Sequence, residues 1–299
     1  MPLVLATIGI TALVAALVVG LLLSGGPSAQ RVGPAGLAGA IAAATAAPGP
    51  RTLLLEPGTY QVALRLGAAH RGLHLQAAGP GVVFEASGNG PVVLCEPGLS
   101  AASFTGLVLR AAPGRVALEA IGGGQLQLIS VEVRGGVVVG GGAISGDGVS
   151  IAGPVTVSDR GSLQLGDAQI DGLLTVDRGE VGLRRSVVQG GMILRQSMST
   201  LSGVRCLGSG PGLLIERGRA TLHEVHIAAS GIGLQVHGAE VTELTGLTIE
   251  GGGPAIVWEG ERTAAWRWER FQLATLARGL PGVLPSGPGA DPTQLPAVR

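Results

Sequence analysis

The chain has 299 residues, equal numbers of acidic and basic side chains, and only 13 % charged against 46 % hydrophobic residues. Charge at half the usual share of about 25 % excludes a disordered tail protein, and the balance of signs lacks the basic footprint of a nucleic-acid binder. The 53 glycines follow no G-X-Y period, which excludes collagen, while aromatic residues at 2 % leave the core to aliphatic side chains.

The N-terminus is an unbroken apolar run from Leu3 to Leu23 without a charge. At about 1.5 Å rise per residue it matches the about 30 Å hydrocarbon core of a bilayer and predicts one transmembrane helix. A cleaved secretory signal is the competing reading. It would carry a positive n-region and a shorter apolar core of about 7–15 residues, and its best cleavage site here, Pro27–Ser28–Ala29, is a poor one. Either reading exports the rest of the chain. The expected organisation is an anchor at residues 1–24, touching the membrane through residues 3–23, and a flexible Gly/Pro/Ser linker at 25–34. The domain beyond them is then on the periplasmic or extracellular side of the cell membrane.

The body of the chain is repetitive. An octet of the form L-x-x-a-x-I-x-G, with a small or apolar residue at "a", starts at Phe104, Leu128, Gly146, Leu165, Leu183, Leu201, Leu222 and Leu244. The spacings of 18 to 24 residues leave no room for a helix in each repeat, which excludes leucine-rich and helical repeats. Period-2 apolar positions read as short strands and the glycine-rich breaks as tight turns. Stacked strand coils predict two inward columns. One runs Phe104, Leu128, Leu165, Leu183, Leu201, Leu222, Leu244, and the other Leu109, Val133, Ile151, Ile170, Val188, Cys206, Ile227, Ile249. Columns of similar aliphatic side chains fill a narrow core without aromatics.

Ahead of the octets, the Ala-rich stretch Gly36 to Ala47 predicts a short helix, followed by PGPRTLLLEPGTYQVALRL. A short helix, a strand and "PGTY" together resemble the N-terminal cap and first coil of right-handed β-helix proteins of the pectin lyase-like superfamily. The resemblance extends over residues 35–271 and implies an all-β, right-handed parallel β-helix of about ten coils. It leaves activity open, because the superfamily holds lyases, hydrolases and non-enzymes. The bactofilin-like polymer-forming β-helices are a related possibility with more uniform coils.

Four of the seven aromatic residues, Trp258, Trp266, Trp268 and Phe271, fall close together at the far end. They are expected to close the coil stack or to contact a partner, since open solenoid ends need capping. Residues 272–299 are Pro/Gly-rich and expected to be an extended tail.

Any chemistry must sit on the outward positions. β-Helix enzymes that cut uronic-acid polymers need clustered carboxylates, for acid–base work or for calcium. The outward columns of the octets carry no two acids on adjacent coils. The strongest candidate is a second strand region, where Asp159–Arg160 and Asp177–Arg178 recur and Glu216 comes later. At about 4.8 Å between coils, Asp159 and Asp177 could lie within reach of one cation, but the arginine next to each acid competes for the carboxylate and favours a solvated corner where acids and arginines pair. His223, Glu224 and His226 are spaced like a metal pair but expected on opposite faces of a strand. Cys95 and Cys206 are expected about five coils apart, too far for the about 7 Å that a disulfide allows. No cofactor or metal is expected, and no glycine loop has the context of a nucleotide site. Three functions remain: a non-catalytic scaffold or accessory subunit contacting a protein partner in a membrane complex, a polysaccharide-binding or polysaccharide-cleaving protein, and a bactofilin-like polymer.

Overall fold

Each octet folds as two short strands on either side of a sharp corner. In the copy at Leu128 the strand Gln125–Ile129 ends, Ser130 takes a left-handed conformation with φ 50°, and Glu132–Arg134 begins a new strand. Three of the eight positions therefore point inward, Leu128, Val131 and Val133, all buried. This corrects the reading of the octet as one strand: the apolar period lengthens from two to three across the left-handed residue.

The structure, a computed structural model, describes residues 29–46, 51–208, 212–251, 256–259 and 272–273. These form a right-handed parallel β-solenoid of about ten coils, each with three strands. Sheet A has eleven strands, from Gln30–Val32 to Glu240–Thr245; sheet B has eleven, from Gly58–Val62 to Gln272–Leu273; sheet C has ten, from Leu64–Leu66 to Ile256–Glu259. The strand pairings place both expected inward columns in register. In sheet A, Leu75, Phe104, Leu128, Gly146, Leu165 and Leu183 follow one another. In sheet B, Phe84, Leu109, Val133, Ile151 and Ile170 do the same. Sheet C supplies a further aliphatic wall that includes Val139, Val157, Val176, Leu194 and Ile215, each at most 1 % exposed.

The N-terminal end of this core is covered by helix α1, Leu37–Ala46, which turns Leu37, Ala40, Ile41 and Ala44 inward at the helical spacing. The strand before it, Gln30–Val32, lies within the stretch expected to be linker. It pairs with Leu53–Leu55 because Val32 belongs to the core, at 4 % exposed. At the other end, Gln272–Leu273 pairs with Thr248–Ile249, so the coil stack reaches just past residue 271. The expected membrane helix Leu3–Leu23 and most of the expected tail lie outside the described residues; no helix among the described residues is long and apolar enough to cross a membrane.

Glycine serves two distinct purposes. The third position is left-handed in all eight octets, yet Asp167, Arg185 and Glu224 occupy it as well as Gly148 and Gly203. The stricter demand falls at the corner entering sheet C, where Gly135, Gly153, Gly172 and Gly190 stack. A Cβ at Gly153 would lie 2.4 Å from the Gly135 carbonyl oxygen, and one at Gly172 would lie 2.3 Å from that of Gly153. Successive coils touch backbone to backbone there.

Three of the scarce aromatics pack together in the first coils. Phe84 meets Tyr60 edge-on at 5.4 Å and Phe104 at 6.2 Å between ring centroids. The Tyr60 hydroxyl lies 2.8 Å from both the Val32 and Glu56 carbonyl oxygens, tying the first strand to the stack. Burial raises its pKa, with the nearby Glu56 adding to the effect.

Cys95 belongs to sheet C and Cys206 to the sheet B column, and both are free and fully buried. Burial pushes both thiols up to about 12. With so little thiolate, native labelling at pH 8 is expected to be on the order of a thousandfold slower than for an ordinary exposed thiol. Iodoacetamide kinetics followed by mass spectrometry, with and without denaturant, check this; rapid native labelling of Cys206 would contradict the column assignment.

Candidate functional site

Strands of sheet C end on an outward position and then turn the corner into sheet A. Pairing places Ser158, Asp177, Arg195, Glu216 and His237 in one column at that edge. Asp159 does not share the column with Asp177. It sits one residue later, with Arg160, in a corner lengthened by one residue, and both are left-handed at φ 52° and 65°.

The Arg178 guanidinium fills the space between the two aspartates. It lies 3.5 Å from Asp159 Oδ1 and 3.6 Å from Asp177 Oδ2. The cation shared by the pair is therefore the chain's own side chain, in line with the reading of this corner as acids paired with arginines. Glu216 accepts a hydrogen bond from Arg195 at 2.6 Å, one coil below. All these groups are largely exposed, so each pair contributes about 0–1 kcal/mol. Arg160 donates its backbone N–H to the Arg178 carbonyl at 2.7 Å but meets no carboxylate among the described residues.

Farther along the same corner a shallow hollow of about 340 Å³ is lined by Gln196, Met198, Arg217, Arg219 and Glu240. Met198 is 61 % exposed, the most exposed large apolar side chain described. Arg219 is held by Glu240 at 3.0 Å, whereas Arg217 has no carboxylate partner among the described residues. The hollow can accept an anionic group against a small apolar surface.

The corner between sheets A and B holds pairs that the sequence reading missed. Arg185 and Asp167 occupy the third octet position in successive copies and form a two-pronged pair, one arm at 2.7 Å. Arg184 reaches past Gly166 to Asp147 at 3.4 Å; a Cβ on Gly166 would lie 2.4 Å from that carboxylate oxygen, so glycine leaves the path open. Comparing the second and third octet positions across copies would have found both pairs.

The Arg185 guanidinium holds the Asp167 carboxyl below the usual carboxylate range, chiefly through its hydrogen bonds. A depressed native pKa contributes stability above the unfolded value of about 3.9, and this is lost as pH falls through the native value. An NMR titration of Asp167 is expected to give a midpoint below about 3.9 that returns toward it in Arg185→Ala or in about 1 M salt. An unchanged midpoint in the variant would contradict the pairing.

His223 and His226 lie on two strands, in sheets A and B, with left-handed Glu224 at the corner between them. His223 Nδ1 is 2.7 Å from Thr245 Oγ1, and His226 Nε2 is 3.4 Å from Glu250 Oε1. Each ring faces its own neighbour on the next coil. Among the described residues no three His, Cys, Asp or Glu side chains converge on one point. Of the expected terminal aromatics, Trp258 lies in the strand Ile256–Glu259 and pairs in register with Val236. Trp266, Trp268 and Phe271 lie outside the described residues. No protein-family model, curated protein or solved structure matches the chain.

Proposed function

We propose that the protein is a membrane-anchored, exported β-helix scaffold or accessory subunit, without catalytic activity, that contacts a protein partner in a larger membrane complex. One observation carries this reading. Nine carboxylates along the described solenoid are engaged by arginines of the same chain, including Asp159, Asp177 and Glu216. Glycoside cleavage needs two carboxyl groups facing one bond, one with a raised pKa so that it can act as the acid. Pairing with arginine favours the ionised form and occupies the oxygens. What the solenoid offers instead is a long, neutral surface of fixed spacing. The apolar run Leu3–Leu23 supports an anchor, with the coils on the periplasmic or extracellular side. Helix α1 over the N-terminal core end weighs against a bactofilin-like end-to-end polymer.

A polysaccharide-binding or polysaccharide-cleaving pectin lyase-like protein is the second reading. The hollow favours it, since the Arg217 guanidinium, which meets no carboxylate among the described residues, lies beside an apolar side chain and can hold an acidic sugar. Incubation of the detergent-extracted full chain with a panel of acidic polysaccharides separates the two. The scaffold reading expects neither retained polysaccharide nor reducing or unsaturated ends above background. Product formation that disappears in Asp159→Asn/Asp177→Asn would overturn it.

A further inference from the structure

The outward middle columns of the sheets differ in chemistry. On sheet A register aligns Ser103, Gln127, Ser145 and Gln164, with Thr200 and Thr221 two coils on, and no apolar side chain interrupts them. On sheet C the matching column begins at Arg65 and carries Leu94, Val138, Ile193, Leu214 and Val257, with Thr156 and Thr175 at its middle and Gln235 between Leu214 and Val257. Val138, Thr175 and Ile193 alternate along their strands with the buried wall, so this column faces outward; Leu214 shares it at only 9 % exposed. Glu119 is the one charged side chain in this column between Leu94 and Val257.

We propose that the outer face of sheet C binds a second copy of the chain, with the two solenoid axes antiparallel. The eight strands that overlap in the arrangement below, at about 4.8 Å spacing and a strand width of about 12 Å, give a face on the order of 450 Å² before side-chain relief. That is a large part of the about 800 Å² per partner of a standard interface. Charge decides the orientation. A two-fold axis parallel to the solenoid would set Glu119 against itself and lay the Asp177–Arg195–Glu216 column against the uncharged row of Leu173, Gly191 and Gly212. Glu119 against Glu119 desolvates like charges, which is costly, and the edge pairs gain nothing across the face.

A two-fold axis running along the strands, between the coils of Thr175 and Ile193, does the opposite. Thr175 then meets Ile193 of the second copy, and Thr156 meets Leu214. Beside them Asp177 meets Arg195 and Ser158 meets Glu216, because the edge column alternates in character. Glu119 falls at the rim, where it keeps water. The same surface patch serves both copies, as a closed two-fold interface requires.

The proposal stands apart from the scaffold reading, since a dimer face needs no other protein. Sedimentation equilibrium of the purified full chain in mild detergent is expected to give twice the 29.7 kDa chain mass. Ile193→Glu is expected to halve it with the circular dichroism unchanged, while Gln164→Glu on sheet A leaves the dimer intact. Orientation is read by a short bis-maleimide, which the buried Cys95 and Cys206 do not disturb. A mixture of Val138→Cys and Gln235→Cys chains is expected to cross-link, and Val138→Cys alone is not, its copies being about 24 Å apart at about 4.8 Å per coil. A monomeric wild type at tens of micromolar, or a folded Ile193→Glu chain that remains dimeric, overturns the face. Cross-linking of Val138→Cys alone overturns the antiparallel arrangement.

Discussion

Gly172→Ala is expected to destroy or severely weaken the native fold, although it adds one methyl group. The new Cβ would fall 2.3 Å from the Gly153 carbonyl oxygen and 2.6 Å from the Pro154 nitrogen, both backbone atoms of the coil below. No side chain can rotate away, and the Asp171 N–H to Ile151 carbonyl bond at 2.9 Å holds the two coils together at that point. The coils must part, or the corner must rebuild. A loss above about 4 kcal/mol is expected, outside the usual range of about 0.5–3 kcal/mol for single substitutions. In a chain of this size that corresponds to roughly 10 °C or more in Tm, or to insoluble protein.

Gly148→Ala is the matched comparison. Gly148 has φ +64°, but its nearest neighbour to a new Cβ is Ser130 Oγ at 3.6 Å, so only backbone strain opposes the change. That strain is about 1–2 kcal/mol for one left-handed residue. Asp167 and Arg185 already bear it at the equivalent corners. Thermal melts of the two variants side by side separate contact from conformation as the reason for glycine; equal losses would contradict the stacked-backbone explanation.

Phe104→Ala is expected to cost about 3–5 kcal/mol, the range for removing a fully buried aromatic ring. Phe104 is 0 % exposed, stacks between Leu75 and Leu128, and meets Phe84 edge-on. The stack closes laterally only on its neighbours, and the damage should stay near the cavity, as in other quasi-one-dimensional repeats. Hydrogen exchange by mass spectrometry is expected to show faster opening across residues 73–134 while the coils from Val155 to Cys206 keep their protection. Uniform loss along the whole solenoid would show instead that it unfolds as one cooperative block.

Much of this architecture is legible in the sequence because one constraint repeats. A residue stacked beneath its equivalent must match it in size and polarity, so the leucine and isoleucine columns appear at fixed spacing, and the strand register confirms both. Where a position faces water that constraint is absent. The pairing of Arg178 with Asp159 and Asp177 depends on one additional residue in the corner at 159–161, which leaves the spacing of the two aspartates nearly unchanged but shifts them out of register. The first coils escape a periodic reading because longer loops separate Leu53, Leu75 and Phe104, and Gln30–Val32 joins the stack through one valine. The apolar outer column of sheet C lies outside the octet. Its apolar members are Leu, Val and Ile, the same residue types that build the inner wall, and only the strand register tells inside from outside.

The solenoid's composition has separate physical causes. Glycines at the corner into sheet C let backbones touch, glycines at the left-handed corners are replaceable, and the scarcity of aromatics reflects a core only as wide as opposed aliphatic columns. The low charge of the chain is further neutralised in place, coil against coil, by arginine–carboxylate pairs. A surface of this kind is suited to contact over length.

Native mass spectrometry of the full chain, extracted from its native cells in gentle detergent, bears most directly on the proposed role. A scaffold or accessory subunit predicts an assembly whose mass exceeds a whole number of 29.7 kDa chains by that of a second polypeptide. A mass accounted for by one chain, or by whole multiples of it alone, would contradict that role.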